Sequence, residues 1–231
     1  MSEWDFAFEV TGQALEDALS TGATREEWTM IAQQLEREDV VGKHCQHVFA
    51  FIDAENVPSK FWGQIEGYIY YLVDKWRGKV YALQKDHATQ GWHEIAKTND
   101  GLKEIRLMGP PAKNKVDNKI ITDIRKLLGK CAPDKTCVFI VSSDSDYWDV
   151  VKELKDVGVR VVGIGEPKAN VCYKELFHRF MELEEEASDE SGGEDDMDYS
   201  CEPPPAWYVG GSNAYRYGVT RRGEMGTLST W

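Results

Sequence analysis

The sequence predicts an α/β domain in which helices cover both faces of a mainly parallel, five-stranded sheet. Between residues 43 and 184, short apolar segments alternate with longer amphipathic ones, and this alternation is typical of parallel strands joined by crossover helices. Two apolar segments, residues 48–52 and 137–141, contain no polar residue, as expected of strands that are covered on both faces. The sequence therefore predicts three layers, with the sheet between two layers of helices.

The predicted strands and helices follow one another in chain order. The strands are expected at residues 48–52, 79–83, 104–107, 136–142 and 159–164. The helices are expected at about residues 60–76, 90–97, 118–129, 146–157 and 170–184. Gly158 follows one of these helices, which is the usual place for a glycine that caps a helix end. Residues 43–184 thus form the expected main domain.

A small helical extension, residues 1–42, is expected before this domain. Thr24 stands three residues before Glu27, a spacing typical of a capping box, and a helix is expected from there to about Glu38. The apolar residues on one face of this helix are Trp28, Ile31 and Leu35. We expect this face to dock on the main domain or on a second copy of the chain in a homodimer.

An acidic tail, residues 185–231, is expected to be disordered. Residues 182–198 hold ten acidic residues and no lysine or arginine, a composition that cannot bury enough apolar surface to fold alone. The part after Pro205 is rich in glycine, tyrosine, tryptophan and arginine. We expect a solvated tail, and the alternatives are binding of a regulatory protein, competition with a polyanion for a basic surface, and stacking on single-stranded bases.

The net charge of −13 is spread unevenly along the chain. Residues 101–135 carry nine lysines or arginines against four aspartates or glutamates, and such a basic stretch suits a polyanionic partner such as RNA. No apolar segment approaches the roughly 20 residues that span a bilayer, and the N-terminus lacks the pattern of a signal peptide. The five cysteines are scattered, which favours a reducing compartment. The sequence therefore predicts a cytoplasmic protein without a membrane partner.

Acidic residues follow the two most apolar strands of the predicted sheet. Asp53 comes directly after the first strand, and Asp144 and Asp146 follow the other. Because open α/β sheets bind ligands at the carboxyl ends of their strands, we expect these three side chains to project into one crevice. Asp117 opens a predicted helix and can approach from the side. Packed carboxylates repel one another, and a divalent cation with oxygen ligands is the simplest compensation.

Neutral polar residues beside these aspartates suit the binding of substrate or water. Asn56 lies three residues after Asp53, where a turn lets both side chains face the same space. Ser142 and Ser143 precede Asp144 and can donate hydrogen bonds to a phosphate. A structural role stays open for the first pair, since aspartate and asparagine commonly cap the turn after a strand.

Two lysines, Lys115 and Lys119, flank Asp117 within the basic stretch. Each can bind a backbone phosphate as a point charge, so both are predicted to bind the substrate. The structural alternatives are a solvated helix face for the lysines and a helix N-cap for Asp117 and for Asp146.

Three sequence blocks resemble the signature blocks of a known family. They are FIDAEN at residues 51–56, KVDNKIITD at 115–123 and SSDSDY at 142–147. In this order they resemble the NYN domain, in the LabA-like branch of the PIN-like nucleases, and the resemblance covers residues 46–184. It implies a Rossmann-like, PIN-like sheet and a metal-dependent ribonuclease site.

The resemblance also implies a role for each site residue. The metal ligands that it implies, for Mg²⁺ or Mn²⁺, are Asp53, Asp117 and Asp144. Asn56 would organise the site, Asp146 would be an outer ligand, and Asp123 is a possible additional acid. Ala54 and Ser143 depart from the family pattern, which often has glycine at these positions, but both are small enough to let a substrate approach.

We therefore expect a metal-dependent endoribonuclease that hydrolyses phosphodiester bonds of RNA. The alternative is a non-catalytic module with a nuclease-like fold that binds RNA or protein, although such a module has little use for an intact set of repelling carboxylates. A phosphatase that needs Asp-x-Asp does not fit, because the first strand ends in DAE at residues 53–55. The HCQH sequence at residues 44–47 has no second ligand pair of matching spacing for a zinc site.

Overall fold

The computed structural model describes residues 24–84, 89–109 and 114–185. The predictions made for residues 1–23 and for the tail from residue 186 onward lie outside these residues. The described helices are α1 (Arg25–Arg37), α2 (Trp62–Leu72), α3 (Gln90–Thr98), α4 (Lys115–Leu128), α5 (Trp148–Asp156) and α6 (Val171–Leu176). The described strands are β1 (His47–Asp53), β2 (Arg77–Leu83), β3 (Leu102–Leu107), β4 (Thr136–Val141), β5 (Arg160–Gly165) and β6 (Arg179–Glu182). A π-helical segment, Glu38–Gly42, extends α1, and short 3₁₀ turns lie at Ser59–Phe61, Pro133–Lys135 and Ser145–Tyr147.

The six strands form one sheet in the order β3-β2-β1-β4-β5-β6, and every neighbouring pair is parallel. The α/β class and the parallel sheet are therefore confirmed. The chain moves outward from β1 to β3 and then returns to the other side of β1 with β4. The direction of the connections therefore reverses between β1 and β4, and doubly wound sheets bind ligands at the carboxyl ends of the strands on either side of such a reversal.

The sixth strand corrects the prediction of five strands and of a single helix over residues 170–184. The helix α6 ends before Phe177, whose backbone is extended, and β6 then pairs with β5. The physical reason lies in Gly163 of β5, because the ring of Phe180 occupies the space that a side chain would need there. The spacing of three residues between Phe177 and Phe180 is also typical of one helix face, so the sequence pattern suggested a helix. In the structure the two rings pack against each other at the edge of the sheet, with 5.4 Å between their centroids.

Both faces of β1 and β4 are buried, and this explains why their sequences are almost entirely apolar. Ile52 and Val141 face the core layer that α2 and α3 cover, which includes Trp92. Phe51 and Ile140 face the opposite layer, which α4, α5 and α6 cover; the helical residues in it include Ile120, Val150 and Tyr173. The register pairs Ile52 with Val141, so the two strands end side by side.

The N-terminal helix α1 docks on the main domain through α2. Gln33 donates a hydrogen bond to the backbone oxygen of Tyr71 at 3.1 Å, and the Tyr71 hydroxyl donates to Glu36 at 2.6 Å. Arg37 pairs with Asp74 at 3.3 Å. These contacts come from polar residues of α1, so docking through its apolar face, with Trp28, Ile31 and Leu35, stays a prediction, as does a homodimer.

The described part of the chain has no helix that is both long and apolar enough to cross a membrane. Cys45, Cys131 and Cys137 carry free thiols. A cytoplasmic location therefore stays a prediction.

Candidate active site

The ends of β1 and β4 and the start of α4 place three aspartates around one crevice. Asp53 is the last residue of β1, Asp117 lies in the first turn of α4, and Asp144 lies in the loop after β4. The charge of Asp117 acts on Asp53, and the charge of Asp144 acts on Asp117. The structure thus brings together the three residues that the sequence predicted as metal ligands.

Asp53 is the most buried of these carboxyl groups, with 3% of its surface exposed. One of its oxygens accepts hydrogen bonds from the backbone of Glu55 and Asn56, at 3.1 and 3.3 Å. Burial and the neighbouring charge of Asp117 raise the pKa of Asp53 to about 7. Asp53 therefore caps the turn after β1, as the structural alternative predicted, and its role as a metal ligand stays a prediction.

The other oxygen of Asp53 faces the hydroxyl group of Tyr147, at 3.0 Å. The same hydroxyl lies 2.9 Å from an oxygen of Asp117. A hydroxyl has one hydrogen to donate, so it cannot donate to both carboxylates at once. The second contact is a hydrogen bond only if one carboxyl group is protonated and donates back to the phenol oxygen. Burial raises the pKa of Asp117 as well, which is consistent with a proton held between the two aspartates.

Tyr147 is a site residue that the sequence interpretation did not assign. It is fully buried, and burial together with the charges of Asp53 and Asp117 holds the pKa of its hydroxyl well above the usual value. The phenol therefore stays protonated and can always donate. The only signal in the sequence was its place at the end of the SSDSDY block, where a buried aromatic residue is also what a helix start facing the core requires.

The two aspartates in the loop after β4 have structural roles that differ from the prediction. Asp144, not Asp146, caps the following turn, because its side chain accepts a hydrogen bond from the Asp146 backbone at 3.0 Å. The side chain of Asp146 instead accepts a hydrogen bond from Asn114 at 2.8 Å. Asn114 precedes α4 and has a positive φ of 57°, a conformation that asparagine tolerates better than most residues. This contact ties the start of α4, and with it Asp117, to the loop.

Asn56 and the two serines hold the crevice loops in place. The Asn56 side-chain oxygen accepts a hydrogen bond from the Ser143 backbone at 2.7 Å, which connects the β1 loop to the β4 loop. The buried Ser142 hydroxyl lies 3.4 Å from Asp53 and accepts from the Asp144 backbone at 3.1 Å. The Ser143 hydroxyl accepts from the backbone of residue 166 at 2.8 Å. These contacts agree with an organising role for Asn56, and the binding of a phosphate by the serines stays a prediction.

Asp123 lies in a separate network on the β2 side of α4. It accepts hydrogen bonds from Lys119 at 2.5 Å, from Tyr81 at 3.0 Å and from Lys79 at 3.4 Å. Burial acts to raise the pKa of Asp123, but Lys119 and Lys79 outweigh it and the pKa is lowered. None of the contacts described for Asp123 reaches the crevice carboxylates. Lys115, the other predicted substrate-binding lysine, donates to the backbone oxygen of residue 108 at 2.6 Å.

The crevice fits a hydrated divalent cation better than a fully protein-bound one. Across residues 24–84, 89–109 and 114–185, no three histidine, cysteine, aspartate or glutamate side chains are arranged to ligate one metal ion. Asp53, Asp117 and Asp144 form no ion pair with a lysine or arginine in this part of the chain. No cationic side chain therefore offsets their charge, and burial is the main cause that raises the pKa of Asp53 and of Asp117. Mg²⁺ commonly binds through one or two carboxylates and keeps several waters.

A family profile described as "NYN domain" matches residues 47–184. The chain belongs to the NYN domain family. The match covers more than half of the chain and agrees closely with the range over which the three sequence blocks predicted it. The NYN domain is a family of PIN-like nucleases, and the acidic crevice of this chain lies where all three NYN blocks meet.

One solved structure that resembles this NYN domain is that of a protein of unknown function, VPA0982, from Vibrio parahaemolyticus RIMD 2210633. The two chains are 18% identical, and the similarity covers 62% of this chain and 95% of the other, with a TM-score of 0.47. No curated protein matches the chain.

Proposed function

We propose that this NYN domain is a metal-dependent endoribonuclease of the LabA-like branch, which hydrolyses phosphodiester bonds of RNA with Mg²⁺ or Mn²⁺. The observation that carries the proposal is the pair of carboxyl groups, Asp53 and Asp117, held by one buried hydroxyl at the switch point of the sheet. A pair of carboxylates that repel each other and lack a cationic side chain is costly to bury. A bound divalent cation with oxygen ligands would offset that cost.

Asp53 and Asp117 are the residues that would hold the cation, with the Asp144 carboxylate beside them. A bound divalent cation supplies a water of lowered pKa and stabilises negative charge on the phosphoryl oxygens. The protein's part is to orient the carboxylates. Tyr147 fixes one oxygen of each of the first two, and the turn after β1 fixes the remaining oxygen of Asp53. Hydrogen bonds to the ligands of a metal commonly set their orientation and their affinity.

The contacts between the loops also support the proposal, because they bear on how a substrate would be positioned. Asn56 connects the loops after β1 and β4, and Asn114 connects the β4 loop to α4. Three chain segments that are distant in sequence are thereby held as one rigid rim. Rigid support of this kind is what precise positioning of a phosphodiester requires. In the same proposal, Asp146 contributes through this rim, and Asp123 contributes to the stability of α4.

The proposal that RNA is the substrate is based on the distribution of charge. Residues 101–135 have a surplus of basic residues, and this stretch includes the start of α4, from which Asp117 enters the crevice. Lys115 and Lys119 lie on either side of that aspartate, and both are proposed to contact backbone phosphates. A homodimer and a protein regulator that binds the acidic tail are further proposals for partners, and the cytoplasm is the proposed location.

The non-catalytic alternative has one observation in its favour. Tyr147 already bridges Asp53 and Asp117, and no third ligand joins them in the described part of the chain. A domain that keeps a proton between these carboxyl groups at neutral pH would bind RNA or protein without a cation. The two functions differ in a direct way, because only the nuclease needs the divalent ion.

The experiment that separates them is the incubation of labelled single-stranded RNA, structured RNA and single-stranded DNA with the purified full chain. Each substrate is tested with Mg²⁺, with Mn²⁺ and with EDTA. The nuclease predicts internal cleavage of RNA that requires the cation and stops with EDTA. Binding of RNA without cleavage under every condition would favour the non-catalytic module. Equal cleavage of DNA would keep the nuclease and remove the restriction to RNA.

A further inference from the structure

The face of the edge strand β3 that lies beside α4 is only partly covered. Alternate residues of a strand share one face, and the register on this face pairs Lys79 with Lys103, Tyr81 with Ile105 and Leu83 with Leu107. The helix α4 packs on β1 and β2, and Tyr81 is fully buried. In contrast, Ile105 and Leu107 are half-buried and Lys103 is exposed. These side chains of β2 and β3 therefore form the floor of a groove between α4 and the edge of the sheet.

One wall of this groove is the face of α4 that carries Lys115, Lys119 and Asp123. These three residues are spaced four apart, so they lie on one side of the helix. The ion pair between Asp123 and Lys79, at 3.4 Å, shows that this side faces β2. At the start of α4, Lys115 reaches the chain that follows β3, because it donates to the backbone oxygen of residue 108 at 2.6 Å. The groove therefore begins beside the acidic crevice and follows α4 away from it.

The groove carries a surplus of positive charge. Asp123 is shared by two of its lysines, since Lys79 and Lys119 approach it at 3.4 and 2.5 Å. Lys103 forms no ion pair in the part of the chain that the structure describes. Its neighbour Glu104 lies on the opposite face of the sheet, where it contacts His93 of α3 at 2.8 Å. A basic groove of this kind suits a polyanionic strand.

We propose that this groove binds single-stranded RNA and leads it to the acidic crevice. Lys79 and Lys103 contact backbone phosphates, and the half-buried side chains of Ile105 and Leu107 contact the bases. Only unpaired bases have faces that are free for such contacts, whereas a duplex hides them. The wall of α4 from Lys115 to Asp123 is about 12 Å long, which leaves room for a few nucleotides. The proposal rests on the proposed function and adds the path of the substrate and its single-stranded form.

The substitution Lys103→Ala tests the groove, because this lysine is exposed and its loss should leave the fold intact. The full chain is titrated with a labelled single-stranded RNA in EDTA, and fluorescence anisotropy gives the dissociation constant at several salt concentrations. Each phosphate contact contributes about 0.7 to the slope of log K against log salt for a single strand, so Lys103→Ala should make the slope shallower by about this amount. Lys97→Ala is the matched control, since Lys97 is an exposed lysine of α3, which covers the other face of the sheet.

The same titration with an RNA duplex of equal length tests the role of the apolar floor. A shallower slope for Lys103→Ala alone, together with tighter binding of the single strand than of the duplex, would support the proposal. Equal slopes for Lys103→Ala, Lys97→Ala and the wild type would overturn it, and so would tighter binding of the duplex. Cleavage of RNA by the wild-type chain would in either case leave the proposed nuclease in place. If the wild type bound no RNA, the groove and RNA as the substrate would both be overturned.

Discussion

Asp53 and Asp117 face one and the same hydroxyl group, that of Tyr147, at 3.0 and 2.9 Å. One aspartate ends a central strand and the other opens a helix, so this contact joins two layers of the fold at the crevice. Because one hydroxyl cannot donate to both carboxylates, both contacts are hydrogen bonds only while one carboxyl group is protonated, and the raised pKa of Asp53, about 7, favours that state at lower pH. The stability of the domain, its pH dependence and its response to a divalent ion are therefore coupled at this point.

The stability of the cation-free protein should fall as the pH rises from about 4 to about 7. The pKa of Asp53 is raised from 3.8 to about 7, mainly by burial, so the folded state binds this proton more tightly than the unfolded chain does. Stability that depends on the bound proton is complete below the ordinary pKa and is lost as the pH passes the raised one, and the loss is at most about 4 kcal/mol. Urea unfolding between pH 4 and pH 8 in EDTA measures this slope.

Asp53→Asn should flatten this pH dependence and raise the melting temperature at pH 8, because asparagine carries no charge. The matched control is Asp134→Asn, an exposed aspartate at the opposite end of β4, which should leave the slope unchanged. An equally steep slope in Asp53→Asn would show that another group is responsible.

Tyr147→Phe should destabilise the domain at pH 8 by about 1–3 kcal/mol, the usual cost of leaving buried polar groups without a partner. Asp117 would lose the hydrogen bond described for its side chain, and the Asp53 oxygen that faces Tyr147 would keep only the longer contact with Ser142, at 3.4 Å. Chemical unfolding at pH 8 gives the free energy of unfolding. Tyr70→Phe, at a tyrosine that is 52% exposed, controls for the loss of a phenol in general. If the two variants were equally stable, the bridge would not stabilise the fold.

Replacement of Lys115 and Lys119 by alanine should weaken RNA binding more than it slows the chemical step, so that KM rises while kcat changes little. The salt dependence of RNA binding should also become less steep, since fewer counterions are released. The loss of Lys119 leaves Asp123 with Tyr81 and Lys79 as partners, so the domain should stay folded. The double variant Lys126→Ala, Lys130→Ala, near the other end of α4, is the control with the same change of charge. An identical salt slope in both double variants would indicate that the first pair is only a solvated surface.

Truncation after Glu184 should leave RNA binding unchanged, because the acidic composition of the tail predicts a solvated segment. The comparison is made at low and at moderate salt, since screening weakens any competition between the tail and RNA. Tighter binding by the truncated chain at low salt would instead identify the tail as a tethered inhibitor. Weaker binding would indicate that its tyrosines, tryptophans and arginines stack on bases.

Much of the fold could be predicted because the apolar pattern of β1 and β4 has a single physical cause, burial on both faces. The same pattern located Asp53 and the loop with Asp144, since polar residues that end such strands lie at the edge of the sheet. Strand β6 was not predicted because its pairing depends on a contact between residues that are distant in sequence. Gly163 in β5 has no side chain, and the ring of Phe180 in β6 occupies that space. Spacing along the sequence alone cannot show such a vacancy.

The site residues that the sequence did not identify are those whose role depends on a single atom. A buried tyrosine at a helix start is indistinguishable, by pattern, from any aromatic core residue, so the pattern around Tyr147 indicated only packing. The exchange of roles between Asp144 and Asp146 depends on the tight turn that follows β4, which the spacing does not specify. Asp123 was a possible member of the site, but six residues after Asp117 a helix has turned by about 240°, and its side chain contacts Lys119 instead.

The most direct test of the account is the cleavage of labelled RNA in Mn²⁺ by Asp53→Asn and Asp144→Asn, with Asp134→Asn as the control. Asparagine can still cap the turns at both positions, so the variants should remain folded, which their melting curves will verify. The account predicts that the first two variants lose Mn²⁺-dependent cleavage, whereas Asp134→Asn cleaves like the wild type. Full cleavage by folded Asp53→Asn and Asp144→Asn would contradict the assignment of the crevice as the catalytic site.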